Sequence, residues 1–70
     1  MKEEKERYEI GERIRRFRRG KGLSQICFAE ELGISERTLS RIENGTTPID
    51  IHLLLKMSRI LGTTLEEIVG

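Results

Sequence analysis

Apolar residues recur along this chain at helical spacing. Between Tyr8 and Arg19, the residues Ile10, Ile14 and Phe17 follow one another at i, i+4 and i+7, so they share one face of a predicted amphipathic helix. No stretch alternates apolar and polar residues over the length of a strand. The pattern therefore predicts an all-α fold.

Helix-capping residues divide the chain into five predicted helices. Ser24, Ser35 and Asp50 belong to the residue types that favour an N-cap, and Thr64 with Glu67 forms a capping-box pattern. Glycines follow the predicted ends of the first four helices, where the chain needs a permissive backbone. The predicted helices cover about residues 8–19, 24–32, 35–44 and 50–61, and the last one begins at Thr64.

The length of 70 residues fits one small domain with an economical core. Residues 1–7 are almost entirely charged and can bury little. We therefore expect a flexible N-terminal tail at 1–7 and a single domain over residues 8–70. Such a small domain gains its stability from helix packing or from association with a second copy.

Several functional classes are excluded by composition. The longest apolar run, Leu53-Leu54-Leu55, is far shorter than a membrane span, and the N-terminus is charged, so we expect a cytoplasmic protein without a membrane partner. Cys27 and His52 are each the only residue of their type, so an intrachain disulfide and a four-ligand zinc site are excluded. No metal, cofactor or small-molecule ligand is expected.

Charge is distributed unevenly along the chain, although the net charge is only +1. Residues 1–21 hold nine Lys or Arg against five Glu, residues 22–44 hold two against four, and residues 45–70 hold two against three. The first block is compatible with an anionic partner but does not require one. The near-neutral total, however, lacks the strongly basic character that is typical of a nucleic-acid-binding domain.

Two short predicted helices with a tight turn between them form the most informative part of the sequence. Residues 24–45 read S-Q-I-C-F-A-E-E-L-G-I-S-E-R-T-L-S-R-I-E-N-G, in which Gly33-Ile34-Ser35 separates the two helices. Gly33 permits a positive φ where the first helix ends, and Ser35 starts the second. This is helix-turn-helix geometry, in which the second helix enters the DNA major groove and the first crosses the backbone.

The chain resembles the phage repressor and Cro-like proteins, also called XRE-type regulators. The resemblance lies in four strings: R-I-R-R-F-R-R-G-K-G-L-S-Q, A-E-E-L-G-I-S, R-I-E-N-G and L-G-T-T-L-E-E-I. It spans nearly everything after residue 7 and implies a compact five-helix, lambda-repressor-like domain. It also implies binding to operator DNA, usually as a symmetric homodimer.

The resemblance implies roles for individual residues. Arg37 and Arg41 stand one helical turn apart where the family reads base edges, and each guanidinium matches guanine O6 and N7. The candidate base contacts are Glu36, Arg37 and Arg41, with Thr38 and Ser40 as lesser candidates. The candidate phosphate contacts are Ser24, Gln25, Asn44 and Thr46. Arg18 and Glu43 are implied to form an ion pair between the first helix and the recognition helix.

The chain departs from the family pattern in three places. Ile26 and Cys27 make the outer surface of the second helix unexpectedly apolar, and the loop at Thr46-Thr47 is neutral, which predicts a shallow salt dependence. The fourth helix is apolar nearly all round. Its core residues are predicted to be Ile51, Leu54, Ser58 and Leu61, which leaves Leu53, Met57 and Ile60 as a second stripe, either for core packing or for a dimer surface.

These observations favour sequence-specific binding of double-stranded DNA by a small transcriptional regulator, a repressor, with residues 35–44 reading the major groove. The alternative is a protein-interaction module of the same fold, such as an antitoxin, an anti-repressor or a dimerisation domain. An enzyme is the least favoured class, because no nucleophile-base pair, carboxylate pair or phosphate loop stands out.

Overall fold

Five α-helices and their connecting turns make up residues 2–70, the part of the chain that the computed structural model describes. Their bounds are α1 Lys2–Gly20, α2 Gln25–Leu32, α3 Glu36–Glu43, α4 Ile51–Leu61 and α5 Leu65–Val69. These residues contain no β-strand, and the all-α prediction is confirmed. Across the same residues, no helix is both long enough and apolar enough to span a bilayer.

The first helix begins at Lys2, six residues before the predicted start at Tyr8. Glu3 and Glu4 lie in its first turn, where negative charge complements the helix dipole. Glu, Lys and Arg are also strong helix formers, and extending an existing helix requires no new nucleation. Residues 2–7, which the sequence predicts as a tail outside the domain, therefore form the start of α1, and Met1 lies outside the described residues. The flexibility of residues 1–7 stays a prediction.

Serine side chains cap the N-termini of α2 and α3, as the sequence predicts. Ser24 Oγ accepts a hydrogen bond from the Cys27 backbone N–H at 3.1 Å, and Ser35 Oγ accepts one from the Thr38 backbone N–H at 3.0 Å. Each bond satisfies a backbone donor that has no partner inside its helix. Asp50 occupies the N-cap position of α4, but its side chain makes no capping hydrogen bond, so that part of the prediction is wrong.

The last helix begins with a complete capping box. Thr64 Oγ1 accepts from the Glu67 N–H at 3.1 Å, and Glu67 Oε1 accepts from the Thr64 N–H at 3.0 Å. The hydroxyl of Thr63 also donates to Glu67 Oε1, at 2.9 Å. These bonds, chiefly the one from the Thr64 backbone, hold the pKa of Glu67 below its ordinary value of 4.5, because they stabilise the charged carboxylate.

Each helix contributes one fully buried side chain to a single core. These side chains are Ile14, Phe28, Leu39, Met57 and Ile68, all with 0% exposure. Apolar burial of this kind is the main favourable term in folding. The core therefore draws on every part of the chain from α1 to α5.

Of the two uses predicted for the stripe of Leu53, Met57 and Ile60, a dimer surface is wrong for Met57, which is fully buried in the core. The buried face of α4 consists of Leu54, Met57, Ser58 and Leu61, while Leu53 and Ile60 are half-buried and pack against the core. Ile51, predicted to lie inside, is 51% exposed, and Leu55 is 37% exposed. A helix that is apolar on nearly all sides does not specify its own rotation, and its neighbours decide which stripe becomes buried.

Two glycines let α1 lie directly against the end of α3. A Cβ at Gly11 would lie 2.4 Å from the Ile42 carbonyl oxygen. A Cβ at Gly45, which has φ 74°, would lie 2.5 Å from Tyr8 Cα. Contact between the two backbones therefore holds the end of α3 on the middle of α1. Gly11, an isolated glycine within a helical pattern, was the sequence signal for this close approach.

Candidate nucleic-acid interface

The turn between α2 and α3 sets the direction of the second helix. Gly33 adopts φ 75°, and its N–H donates to the Glu30 carbonyl at 3.1 Å. The Ile34 N–H donates to the Ala29 carbonyl at 3.0 Å, which completes a Schellman closure of α2. Ile34 is half-buried and packs against the core. The chain therefore leaves α2 along one defined path and starts α3 at Ser35.

The outward face of α3 presents two arginines. Leu39, Ile42 and Glu43 are buried, whereas Arg37 and Arg41 are exposed. Neither guanidinium forms an ion pair or a side-chain hydrogen bond with any described residue. Each keeps its five N–H donors available for a planar acceptor pair such as guanine O6 and N7.

The remaining candidate base contacts differ in availability. Glu36 is exposed in the first turn of α3, while Thr38 and Ser40 are half-buried. The Thr38 hydroxyl oxygen accepts a hydrogen bond from the Ser35 hydroxyl at 2.8 Å. Part of the hydrogen-bonding capacity of Thr38 is therefore used within the N-terminal turn of α3.

A buried ion pair joins α1 to the end of α3. Arg18 Nε donates to Glu43 Oε2 at 2.6 Å, and Arg18 Nη2 donates to Glu43 Oε1 at 3.1 Å. Arg18 is 6% exposed and Glu43 is 1% exposed. Arg18 Nη1 also donates to the Leu23 carbonyl at 2.8 Å, which ties the α1–α2 turn to the same pair. The ion pair that the family resemblance implies is thus present, with bidentate geometry.

Gln25 and Ser24, the candidate phosphate contacts at the start of α2, both have partners within the protein. Gln25 Nε2 donates to Glu43 Oε1 at 3.0 Å, and Ser24 Oγ accepts from the Cys27 N–H. One N–H of the Gln25 amide and the hydroxyl hydrogen of Ser24 remain for an external acceptor. The Glu43 carboxylate therefore positions Gln25 as well as α1.

Asn44 and Thr46, the candidate phosphate contacts after α3, are both exposed. Asn44 Oδ1 accepts a hydrogen bond from Arg15 Nη2 at 2.5 Å. Thr46 Oγ1 donates to the Arg41 carbonyl at 3.1 Å, so its hydroxyl stabilises the helix end. Arg15 is absent from the predicted site. Its i, i+3 spacing from Arg18, which puts both residues on one face of α1, is the signal that could have indicated it.

The family model described as "Helix-turn-helix" (HTH_3) matches residues 14–68. This chain therefore belongs to that helix-turn-helix family, and the family prediction is confirmed. The matched range runs from the middle of α1 to α5 and contains both helices of the motif with the turn between them.

Known proteins with a similar sequence or structure include an antitoxin and two regulators. Antitoxin PezA of Streptococcus pneumoniae is 36% identical over 61 residues, which cover 87% of this chain and 39% of the antitoxin. The restriction-modification controller protein C.AhdI of Aeromonas hydrophila aligns with a TM-score of 0.88 at 25% identity, over 97% of this chain and 99% of that one.

SinR, a master regulator for biofilm formation whose structure was solved in complex with DNA, aligns with a TM-score of 0.79 at 35% identity. The alignment covers 87% of this chain and 98% of the SinR chain. The five-helix fold class is confirmed by these neighbours. Among curated relatives, the chain spans from 10% to 51% of each protein's length.

Proposed function

We propose that this chain binds double-stranded DNA sequence-specifically and acts as a transcriptional regulator, with α3 in the major groove. The observation that carries the proposal is the exposed, unpaired state of the Arg37 and Arg41 guanidinium groups on the second helix of the motif. The similarity to SinR, which was solved with DNA, supports it. No catalytic step is part of this function.

Arg37 and Arg41 act in this proposal as the principal base contacts. An arginine that donates two hydrogen bonds to guanine is worth about 1–3 kcal/mol of discrimination against a wrong base. Glu36 would accept from a cytosine amino group, and Thr38 and Ser40 add lesser contacts. The backbone contacts that set the register come from Ser24, Gln25, Asn44 and Thr46.

Repression is the regulatory outcome that we propose, because a protein that occupies the major groove at a promoter excludes other proteins from the same site. The protein would work in the cytoplasm, together with its DNA target. A reporter gene placed behind the selected operator would test the outcome: expression should fall when the protein is present, and increased expression would indicate an activator.

A symmetric homodimer is part of the same proposal. Helix-turn-helix dimers read two half-sites about 34–36 Å apart. The described residues measure 31 × 24 × 20 Å, so two copies in contact can place their α3 helices at a comparable separation. Because Met57 belongs to the core, we assign the contact to the exposed apolar pair Ile51 and Leu55, one turn apart on α4.

Sedimentation equilibrium would test the dimer. The parent protein should associate as its concentration rises, and Leu55→Glu should weaken that association while the melting temperature changes little. A parent that stays monomeric at every concentration, with the operator duplex present, would contradict the dimer and leave the DNA-binding proposal standing.

Selection of bound duplexes from a random pool, followed by titration at fixed salt, tests the main proposal. We expect one preferred sequence, and we expect Arg41→Ala to reduce that preference at one or two base pairs. Arg16→Ala is the matched control, because it removes an exposed positive charge from α1. Equal affinity for all sequences, with Arg41→Ala indistinguishable from the parent, would contradict sequence-specific reading.

A protein-interaction module is the second candidate, and the similarity to the antitoxin PezA favours it. The apolar side chains of Ile26 and Ile51, 54% and 51% exposed, offer contact area for a protein partner. In this case a partner would still bind the double variant Arg37→Ala/Arg41→Ala, and the parent would bind no DNA.

A further inference from the structure

Arg15 links the buried Glu43 carboxylate to the exposed Asn44 side chain. Its Nε lies 3.5 Å from Glu43 Oε1, and its Nη2 donates to Asn44 Oδ1 at 2.5 Å. The Arg15 side chain is 29% exposed, whereas that of Glu43 is 0% exposed. Arg15 therefore extends from the protein interior to the surface at the C-terminal end of α3.

This contact determines the orientation of the Asn44 amide. A guanidinium group has only donors, so the Asn44 atom that faces Arg15 must be its carbonyl oxygen. The Asn44 Nδ2 group then takes no part in this contact, and its N–H donors have no partner among the described residues. The same side chain without Arg15 would be free to present either atom.

Arg15 also changes the charge at this end of the helix. The C-terminal end of a helix carries a partial negative charge, which disfavours an anion. Arg18 neutralises the Glu43 carboxylate through the bidentate pair, so Arg15 adds a net positive charge. The loop that follows is neutral at Thr46 and Thr47 and adds no cation, whereas Arg15 directly contacts Asn44.

We propose that Arg15 and Asn44 together form a binding site for one DNA backbone phosphate, with Arg15 as the positioning residue for the Asn44 amide. This inference rests on the proposed DNA-binding function. The phosphate accepts from Asn44 Nδ2 and from a guanidinium N–H of Arg15 that is not used within the protein. The positive charge of this site comes from Arg15 on α1 and not from the loop after the recognition helix.

The test uses the full chain and a duplex containing the selected sequence, titrated by fluorescence anisotropy at several salt concentrations. The most informative variant is Asn44→Asp, which keeps an oxygen for Arg15 but replaces the Nδ2 donor with a second oxygen. We expect it to weaken DNA binding by roughly tenfold to a hundredfold, the range for a lost hydrogen bond to a charged group. Its melting temperature should stay close to that of the parent.

Arg15→Ala should weaken binding about tenfold and lower the slope of log affinity against log salt by about one, the value for one lost phosphate contact. Arg16→Ala, the matched charge control, should cost less than about threefold. In the double variant Arg15→Ala/Asn44→Ala, the loss should be smaller than the product of the two single losses, because the two side chains serve one phosphate.

The outcomes separate this inference from the function on which it rests. If the parent binds the duplex while Arg15→Ala behaves like Arg16→Ala, or if the Arg15 and Asn44 effects multiply, the phosphate site is wrong and DNA binding stands. An Asn44→Asp variant with unchanged affinity overturns the site even if Arg15→Ala unfolds. A parent that binds no duplex overturns both proposals.

Discussion

The two ends of α3 differ in how much the fold depends on them. Near its start, Arg37 is exposed and has no partner among the described side chains. At its end, Glu43 is 1% exposed, and its carboxylate is contacted by Arg15, Arg18 and Gln25. We call these four residues the Glu43 cluster. One helix of eight residues thus carries an exposed surface that the fold does not need and a buried charge that the fold depends on.

Under the proposed function, this difference would let the domain change its DNA sequence preference without losing its structure. Exposed side chains such as Arg37 and Arg41 contribute little to folding, so they can be exchanged freely. The Glu43 cluster and the close contact at Gly11 hold the helix at a constant position and angle on α1. Substitutions in the Glu43 cluster should therefore mainly lower the stability of the protein. Substitutions of Arg37 or Arg41 should mainly weaken DNA binding.

Removing the carboxylate of the cluster should have the largest effect. Glu43→Ala leaves Arg18 buried without its counter-charge and should cost about 3–5 kcal/mol of unfolding free energy. For a domain of this size that corresponds to a melting temperature lower by more than about 12 °C, measured by circular dichroism. The control on the same helix, Glu36→Ala, should cost at most about 1 kcal/mol, the helix-dipole contribution. Equal melting temperatures for the two variants would contradict the comparison.

A pair of glycine substitutions on α1 tests the backbone contact. Gly11→Ala places a Cβ 2.4 Å from the Ile42 carbonyl oxygen and should destabilise the protein by about 1–3 kcal/mol, the usual cost of overpacking. A Cβ at Gly20 meets nothing within 4 Å. Gly20→Ala should therefore stabilise by up to about 1 kcal/mol, because alanine is the better helix former. Thermal unfolding measures both, and the same sign for both would contradict the close approach of α1 to α3.

The arginines of the exposed region should be nearly silent in stability. Arg37→Ala and Arg41→Ala should each change the unfolding free energy by no more than about 0.5 kcal/mol, as is usual for exposed side chains without partners. Each should nevertheless weaken binding to the preferred duplex by about 1–3 kcal/mol. Urea unfolding and DNA titration of the same preparations give the two values. A large stability loss at Arg41 would place that side chain in the fold and not in the DNA-reading surface.

The capping box of α5 lies outside both regions and provides the smallest effect. Thr64→Ala should cost about 1 kcal/mol, typical for a lost N-cap. The pKa of Glu67 is lower in the folded protein than in the unfolded chain. Its charged carboxylate therefore stabilises the fold at pH values above the unfolded-state pKa. That stabilisation is lost as the pH falls through the folded-state pKa. The difference in melting temperature between the parent and Glu67→Gln should therefore shrink on acidification below about pH 4.5. A difference independent of pH would contradict the charged capping interaction.

Much of the local structure was predictable because its causes are local. Ser24 and Ser35 cap their helices through atoms three residues away, and Gly33 ends α2 through its own φ angle. The ion pair of Arg18 and Glu43 followed only from the family resemblance, since the two residues are 25 positions apart. Nothing local in the sequence places one beside the other.

The errors occurred where several local solutions are equally good. Met57 and Ile51 are both apolar residues on a helix that is apolar nearly all round, and only packing against the other helices decides which one enters the core. The charged start of α1 buries little, so the absence of an apolar stripe indicated a tail. Helix propensity and the dipole were enough to extend the helix to Lys2.

The sequence by itself determined the number of helices, the caps of α2, α3 and α5, the turn at Gly33 and the family to which the chain belongs, because each is encoded in neighbouring residues. Only the tertiary structure decided which face of α4 is buried, how closely Gly11 approaches α3, and that Arg15 meets Asn44. These contacts join residues that are distant along the chain. Their energies depend on the relative positions of whole helices, which no short segment specifies.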